Sequence, residues 1–263
     1  VALSRLDLPP SDQRWKIGVG IASSYKNVGL GTGLPDGAGA TVELTADGKV
    51  LVLTGASEVG QGSDTIMSQI AADAGGFPFS VVTLLSSDTE RCLNAGMTTA
   101  SRQTYVSGNA IYYAAAQLSE RIKGFLAEQW SSSEKEITFD KNGAVSGEHT
   151  IPYKELYRLM ADKGLPTRAE YYYEPPATCP LPECSDHKPG DDPNKYHLHF
   201  AYCYGTHAAV VQVDVETGRV KVLKVIAAHE VGTAIHPLNV RAQVEGSVVM
   251  GIGYGLMEEY KLE

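Results

Sequence analysis

Strand patterns and helix patterns alternate along nearly the whole chain, which limits the protein to folds that mix sheets with helices. The clearest strand signals are two hairpins. The first covers residues 39–54 and turns at Ala46-Asp47-Gly48, and the second covers residues 207–229 and turns at Glu216-Thr217-Gly218. The sequence therefore predicts an α+β fold, in which mixed sheets with hairpins pack against helices.

Further strands and helices are predicted before, between and after the two hairpins in the sequence. Apolar spacing predicts strands at 16–25, 80–86 and 136–140 and helices at 63–74, 101–130, 152–163 and 237–259. Residues 174–195 hold six prolines and few apolar side chains, which is typical of a long loop. We therefore expect one domain over residues 1–263, with a possible internal boundary in the loop 174–195.

Composition narrows the class of protein. The chain is 43% hydrophobic and 20% charged, which is ordinary for a globular protein with a core, and no apolar run reaches transmembrane length. A net charge of -9 argues against nucleic acid or an anionic membrane as a partner. Four cysteines in 263 residues are too few for a disulfide scaffold, so we expect a cytoplasmic protein.

The two ends of the chain suggest a fragment. The chain begins V-A-L-S-R without methionine and stops directly after a helical pattern. We therefore expect it to be a piece of a longer polypeptide.

The two hairpins share a second feature. Each is followed by Glu-Val-Gly and then by a helical pattern, so that Glu58 and Glu230 occupy matching places. Two interpretations remain open, namely convergence of two common hairpins and an ancient internal duplication.

The stretch Gly60-Gln61-Gly62 lies between the first hairpin and a helix. Backbone N–H groups at a helix N-terminus favour an anion, and glycine lets a ligand approach the backbone closely. A glutamine side chain offers a donor and an acceptor to a polar heterocycle or an oxo group. This pattern indicates a ligand site, although simple capping of the helix is the alternative.

Two later stretches repeat this arrangement before a helix, at residues 96–103 and 232–237. Three helix N-termini that consist of small and polar residues are suited to bind the phosphates of a dinucleotide-like cofactor. The G-x-G-x-x-G, G-x-x-x-x-G-K-[ST] and G-x-S-x-G motifs are all missing from the sequence, which argues against Rossmann, P-loop and hydrolase sites.

Taken together, these motifs carry a resemblance to a known family. The ordered motifs are G-A-S-E-V-G-Q-G, T-T-A-S-R-Q-T-Y-V-S-G-N-A, H-E-V-G-T-A-I-H-P and Q-V-E-G-S-V-V-M-G-I-G-Y-G-L-M-E-E. They resemble the molybdenum hydroxylase (xanthine dehydrogenase) family, in the part of the large subunit that surrounds the molybdopterin. The resemblance runs from about residue 14 to residue 260. Family members usually have Asp and Asn where this chain has Glu230 and His236.

The resemblance implies a cofactor and a set of residues that bind it. The cofactor is molybdopterin with molybdenum, in its cytosine dinucleotide form. Gln61 would bond the pterin dithiolene or the metal-oxo end, residues 98–103 would hold pterin and phosphate, and Gln243 would contact the pterin. The implied cofactor-binding residues are Gly60, Gln61, Gly62, Thr98, Thr99, Ala100, Ser101, Arg102, Gln103 and Gln243.

The implied reaction is hydroxylation of an N-heterocycle or aldehyde carbon, with water as the oxygen source. Iron-sulfur centres and FAD would lie on other domains or subunits, and the remainder of the large subunit and a small-molecule substrate would complete the list of partners. The family's catalytic glutamate and its metal-proximal loop lie outside the matched segment. We therefore assign no catalytic and no metal-binding residue, and expect residues 1–263 alone to be inactive and to bind little molybdenum.

A different class of function is suggested by the loop near residues 179–199. Cys179, Cys184 and His187, with His197 and His199 further on, supply soft metal ligands. The alternative function is therefore a non-catalytic binding or assembly module with a structural zinc site.

Overall fold

The protein is described by a computed structural model that covers residues 8, 9, 11–181 and 197–262. The chain forms two compact units. The terminal unit joins Val1–Lys26 with Tyr202–Glu263, and the central unit is Asn27–Ala201. The predicted internal boundary at 174–195 falls inside the central unit, and residues 182–195 of that loop lie outside the described residues.

The central unit is built on a four-stranded sheet with one crossover helix. The bounds are β2 Ala38–Leu44, β3 Val50–Thr54, α1 Ser63–Gly75, β4 Val82–Ser86 and β8 Arg168–Tyr173. The strands lie in the order β4-β3-β2-β8. Strands β2 and β3 form the predicted first hairpin, and β8 pairs antiparallel with the other side of β2. Strand β4 runs parallel to β3, because helix α1 forms the crossover between them.

Helix α2, Gly108–Trp130, supplies the largest part of the central core. Its buried apolar residues recur at three- and four-residue spacing, as in an amphipathic helix that covers a sheet. They include Ile111, Leu118, Ile122 and Leu126, all with no exposed surface. This helix packs against β2 and β8 and against α1, so that the sheet and both helices share one core.

A small three-stranded sheet completes the central unit. It comprises β5 Thr138–Phe139, β6 Gly143–Ser146 and β7 His149–Pro152, in the order β5-β6-β7. Helix α3, Tyr153–Asp162, follows β7 directly and buries Tyr153, Leu156 and Met160.

The terminal unit contains a three-stranded sheet followed by a helix. The bounds are β1 Trp15–Val28, β9 Ala201–Asp214, β10 Val220–Glu230 and α4 Pro237–Leu256, and the strands lie in the order β1-β9-β10. Helix α4 is rich in apolar residues yet buries none of them, and Val249, Met250 and Tyr254 are among its most exposed side chains. Among the described residues, no helix is long and apolar enough to cross a membrane.

The predicted elements are confirmed in type, with three corrections at their ends. Residues Phe79–Val81 form a 3-10 turn, in which the Val81 N–H bonds the Pro78 carbonyl, so the strand predicted from residue 80 begins at Val82. Ser101 is left-handed, and α2 is preceded by a π-helical turn at Gln103–Ser107. Helix α4 ends at Leu256, since the following Met257 leaves the helical conformation with φ of −131° and the Glu258 N–H donates five residues back to the Gly253 carbonyl. The hairpin of β6 and β7 was not predicted.

An ion pair in the terminal unit makes its stability sensitive to acid. The Arg14 guanidinium donates to both carboxylate oxygens of the buried Asp214, at 3.0 and 2.7 Å. These hydrogen bonds hold the pKa of Asp214 well below its usual range. The pair therefore stabilises the fold above the unfolded pKa of about 3.9 and loses this effect as the pH falls through the lower folded pKa.

We expect Asp214→Asn to lower the melting temperature near pH 7, because the mutation removes this charge pair. The difference from the unchanged protein should shrink as the pH falls below about 4, because protonation of Asp214 in the unfolded state reduces the advantage that the folded ion pair provides. Thermal melts between pH 2 and pH 7 would measure it. Glu216→Gln is the matched control, because Glu216 lies 3.4 Å from Arg14 but is 64% exposed. A difference that does not depend on pH would contradict the prediction.

Candidate functional site

The turn that contains Gly60-Gln61-Gly62 is organised by the carboxylate of Glu58. Its Oε1 accepts hydrogen bonds from the N–H groups of Gly60 and Gly62, at 2.7 and 3.0 Å. Its Oε2 accepts from the N–H of Asp64 at 3.1 Å. The anion at the N-terminus of α1 is therefore a side chain of the protein, which corrects the expectation that a phosphate occupies this helix end.

The ionisation of Glu58 agrees with this arrangement. Local desolvation raises the pKa of Glu58, but the hydrogen bonds from Gly62, Asp64 and Gly60 outweigh it and leave the pKa below its usual value. Both glycines are left-handed, with φ of 102° at Gly60 and 84° at Gly62, a conformation that residues with a Cβ rarely adopt. The glycines thus allow the turn to wrap around the carboxylate.

Gln61 joins a network that spans two of the sequence motifs. Its Nε2 lies 2.8 Å from the Gln103 Oε1 and 2.8 Å from the Ser57 carbonyl, and its Oε1 accepts from the Val59 N–H at 2.6 Å. The Gln103 Nε2 in turn donates to the Ser57 carbonyl at 3.0 Å. The two side-chain amides therefore bond each other although they are 42 residues apart in sequence.

Thr98 closes the network and leaves one donor for a ligand. Its Oγ1 accepts hydrogen bonds from the Ser57 N–H at 3.0 Å and from the Gln103 Nε2 at 2.8 Å. A hydroxyl has two lone pairs and one hydrogen, so these contacts use its acceptor capacity. Within the part of the chain that the structure describes, no acceptor takes the Thr98 hydroxyl hydrogen, so it can donate to a bound group.

Residues 99–101 are the open part of this site. Thr99 and Ser101 are exposed, and Ala100 is half-buried with its carbonyl accepting from the Gly29 N–H at 2.9 Å. Ala100 and Ser101 are both left-handed, with φ of 52° and 54°. Strained backbone of this kind is often found at ligand sites, where the surrounding structure holds it in place.

Arg102 differs from the other residues that the resemblance implied. Its side chain is only 1% exposed and forms a buried ion pair with Asp36. Its Nη1 donates to the carbonyls of Ala95 and Met97, and its Nη2 donates to those of Asp36 and Gly37. All five N–H groups of the guanidinium are thus directed at acceptors within the protein.

The third helix start, at residues 232–237, lies in the terminal unit. The Glu230 Oε1 accepts from the Gly232 N–H at 2.6 Å, as Glu58 does from Gly60 in the first turn. The His236 Nδ1 accepts from the Asn239 N–H at 3.2 Å and caps α4. The sequence similarity of the two hairpins therefore extends to the hydrogen bonds of their turns, although duplication itself stays a hypothesis.

The last implied residue, Gln243, is also in the terminal unit. It is exposed on α4, and its backbone carbonyl accepts from the Ser247 hydroxyl at 2.8 Å. The structure therefore brings Gly60, Gln61 and Gly62 together with residues 98–103 in the central unit, while Gln243 belongs to the other unit.

The glycine-rich segment 29–37 and its Asp36 were not predicted from the sequence to belong to the site. Asp36 is buried, and its Oδ2 accepts from the Leu30 N–H at 2.7 Å. Gly29, Gly31 and Gly33 are all left-handed. Glycines at alternate positions before a single aspartate were the signal that could have marked this segment.

The loop proposed as a zinc site has no support in the described residues. Within them, no group of three or more His, Cys, Asp or Glu side chains is arranged to hold a metal ion. The Cys179 N–H donates to the His197 carbonyl at 2.8 Å, which is a backbone contact. Cys184 and His187 lie outside the described residues.

Comparison with known proteins establishes the family. The model of the molybdopterin cofactor-binding domain matches residues 6–263. The chain belongs to this family, which confirms the resemblance seen in the sequence and its α+β fold.

Several relatives show the same relationship. The chain is 31% identical over 245 residues to a probable xanthine dehydrogenase subunit of Bacillus subtilis, covering 93% of this chain and 31% of that protein. It is 28% identical over 260 residues to the nicotine 6-hydroxylase large subunit of Paenarthrobacter nicotinovorans, covering 92% and 29%. The chain thus spans about a third of the length of these relatives.

Solved structures agree with the sequence comparison. Quinoline 2-oxidoreductase from Pseudomonas putida 86 superposes with a TM-score of 0.74 at 25% identity, covering 95% of this chain and 31% of that one. The aldehyde oxidoreductase from Desulfovibrio desulfuricans gives a TM-score of 0.72 at 28% identity, covering 96% and 24%.

The chemistry of the donor set at residues 98–101 fits the pterin part of a molybdopterin cofactor. The groups that can face a ligand are neutral: the Thr98 hydroxyl, the exposed Thr99 and Ser101 hydroxyls, and nearby backbone. The one cationic side chain of segment 96–103, Arg102, is neutralised by Asp36. Neutral donors and acceptors match the amide and amine edges of a polar heterocycle.

Proposed function

We propose that this chain forms part of the cofactor site of a molybdenum-dependent hydroxylase, which hydroxylates an N-heterocycle or an aldehyde with oxygen from water. The observation that carries the proposal is the network of Gln61, Gln103 and Thr98, because it joins two separate family motifs at one place. The names of the relatives support both substrate classes, since they include nicotine and quinoline enzymes and an aldehyde oxidoreductase.

The residues of the central unit would bind and orient the molybdopterin. Thr98 would donate its hydroxyl hydrogen, and Thr99, Ala100 and Ser101 would contact the pterin and phosphate through backbone and hydroxyl groups. The Gln61 Oε1 retains a second lone pair beside the one that receives the Val59 N–H. When bound, the molybdenum cofactor supplies the two-electron chemistry of the reaction.

Other parts of the protein would complete the enzyme. The cofactor would be the cytosine dinucleotide form, with Gln243 as a further contact. Iron-sulfur centres and FAD on other domains or subunits would remove the electrons, in a cytoplasmic assembly. No residue of this chain is assigned as the catalytic base.

An isotope experiment on the complete protein tests the proposal. The protein, produced with molybdate, should contain molybdenum and release CMP on acid hydrolysis. Hypoxanthine, nicotinate and an aldehyde would each be supplied in ¹⁸O-labelled water with an artificial electron acceptor. We expect ¹⁸O in the product of at least one substrate, because water is the proposed oxygen source.

Growth on tungstate provides the matched control and should give a folded but inactive protein. Oxygen derived from O₂, or a complete protein without molybdenum and pterin, would contradict the proposal.

A further inference from the structure

Segment 96–103 has an unusual backbone conformation. Gly96 is left-handed with φ of 70°, and Ala100 and Ser101 follow with φ of 52° and 54°. Two successive residues with a Cβ seldom adopt this conformation unless their surroundings hold it. Residues 100 and 101 therefore depend on contacts with the surrounding structure to hold this conformation.

Arg102 follows the strained residues directly and bonds the backbone on both sides of Gly96. Its Nη1 donates to the carbonyls of Ala95 and Met97, and a Cβ added to Gly96 would lie 2.8 Å from this same nitrogen. The guanidinium therefore fills the inside of the loop that begins at Gly96, and the close approach requires a glycine there.

Asp36 and its neighbours anchor Arg102 from a distant part of the chain. The Asp36 carboxylate accepts from Arg102 Nε, and the carbonyls of Asp36 and Gly37 accept from Nη2. The same glycine-rich segment contributes the Gly29 N–H, which donates to the Ala100 carbonyl at 2.9 Å. Residues 29–37 thus hold both Arg102 and the strained residue Ala100.

We propose that Arg102 is a positioning residue, which, together with Asp36, fixes residues 96–101 in the conformation that presents Thr98, Thr99 and Ser101 to the molybdopterin. This inference rests on the proposed function. It also replaces the role that the resemblance implied, because a guanidinium that is 1% exposed and has five acceptors in the protein does not contact the cofactor.

Arg102→Lys in the complete protein tests the inference. Lysine keeps the charge but offers three N–H groups in place of five and lacks the planar fork. At least two acceptors therefore lose their partner, and residues 100 and 101 are no longer held. We expect molybdenum and pterin per folded chain to fall roughly 10- to 100-fold, as is typical when groups supporting a ligand shell are removed.

The rate of cofactor release distinguishes positioning from general stabilisation. At a temperature chosen well below the measured melting temperatures of both proteins, release from the folded Arg102→Lys protein should be at least about tenfold faster than from the unchanged protein. Arg121→Lys is the matched control, because Arg121 lies in the same unit and bonds the Arg168 carbonyl at 2.7 Å in an exposed position. It should leave both the cofactor content and the release rate unchanged.

Two further variants decide the outcome if Arg102→Lys does not fold. Asp36→Asn retains the shape of the anchor without its charge, and Gly96→Ala places a methyl group against the guanidinium. Both should speed release of the cofactor. If the folded variants contain as much cofactor as the unchanged protein and release it at the same rate, the inference is wrong. If the unchanged complete protein itself contains no molybdopterin, the proposed function fails instead.

Discussion

Arg102→Met should lower the free energy of unfolding by about 3–5 kcal/mol, because it leaves the buried Asp36 carboxylate without its cation. Methionine fills much of the same volume, so the loss would come from the unpaired charge and the four unbonded carbonyls more than from a cavity. Urea denaturation, followed by circular dichroism, would measure the change in midpoint and slope.

A double variant separates the effect of the unpaired charge on stability from the effect of the lost hydrogen bonds. Adding Asp36→Asn to Arg102→Met removes the unpaired carboxylate, so the double variant should recover part of the lost stability. Arg121→Met, at an exposed position, should cost less than about 0.5 kcal/mol. If Arg102→Met lowered the free energy of unfolding by as little as Arg121→Met, the ion pair would contribute little to the stability of the central unit.

Gln61→Ala should lower turnover of the complete protein about ten- to a hundredfold while leaving it folded. Loss of one hydrogen bond to a strongly polarised group is worth roughly 1.5–3 kcal/mol. The substitution also removes the amide that holds Gln103 at 2.8 Å, so the position of Thr98 would become less fixed. Turnover, bound molybdenum and the melting curve would be compared with those of the unchanged protein.

The control for Gln61 is Gln129→Ala, which removes an exposed amide that bonds Lys163 at 2.9 Å. It should change none of the three measurements appreciably. If Gln61→Ala gave the same result, the Gly60-Gln61-Gly62 turn would be a structural feature and no part of a cofactor site.

Local features of the chain were predictable from the sequence because they depend on neighbouring residues. The first hairpin and the helix after it appear as expected, and the Gly75-Gly76 pair ends that helix with Gly76 at φ of 68°. Apolar residues that recur every two or every 3.6 residues indicate which face of a strand or helix is buried, and glycine indicates where the backbone turns. The family motifs could be recognised for the same reason, since each is a short continuous stretch of sequence.

The partners of polar side chains could not be read in this way. The sequence favoured a phosphate at the start of α1, but the structure places Glu58 there, because a carboxylate two residues before Gly60 can fold back onto its N–H. The family resemblance in the sequence also implied that Arg102 binds the cofactor. Its pairing with Asp36, 66 residues away, instead places it in the interior.

The sequence by itself determined the α+β class, the two long hairpins with the helices that follow them, and the two motifs of the central unit that meet at the site. Tertiary structure decided which of their side chains remain available to a ligand. A hydrogen-bond donor is available only when no other part of the chain supplies its acceptor, and burial depends on everything that packs around it. Among the described residues the Thr98 hydroxyl hydrogen has no acceptor, whereas all five N–H groups of Arg102 have one, a difference that the packing of the folded chain creates.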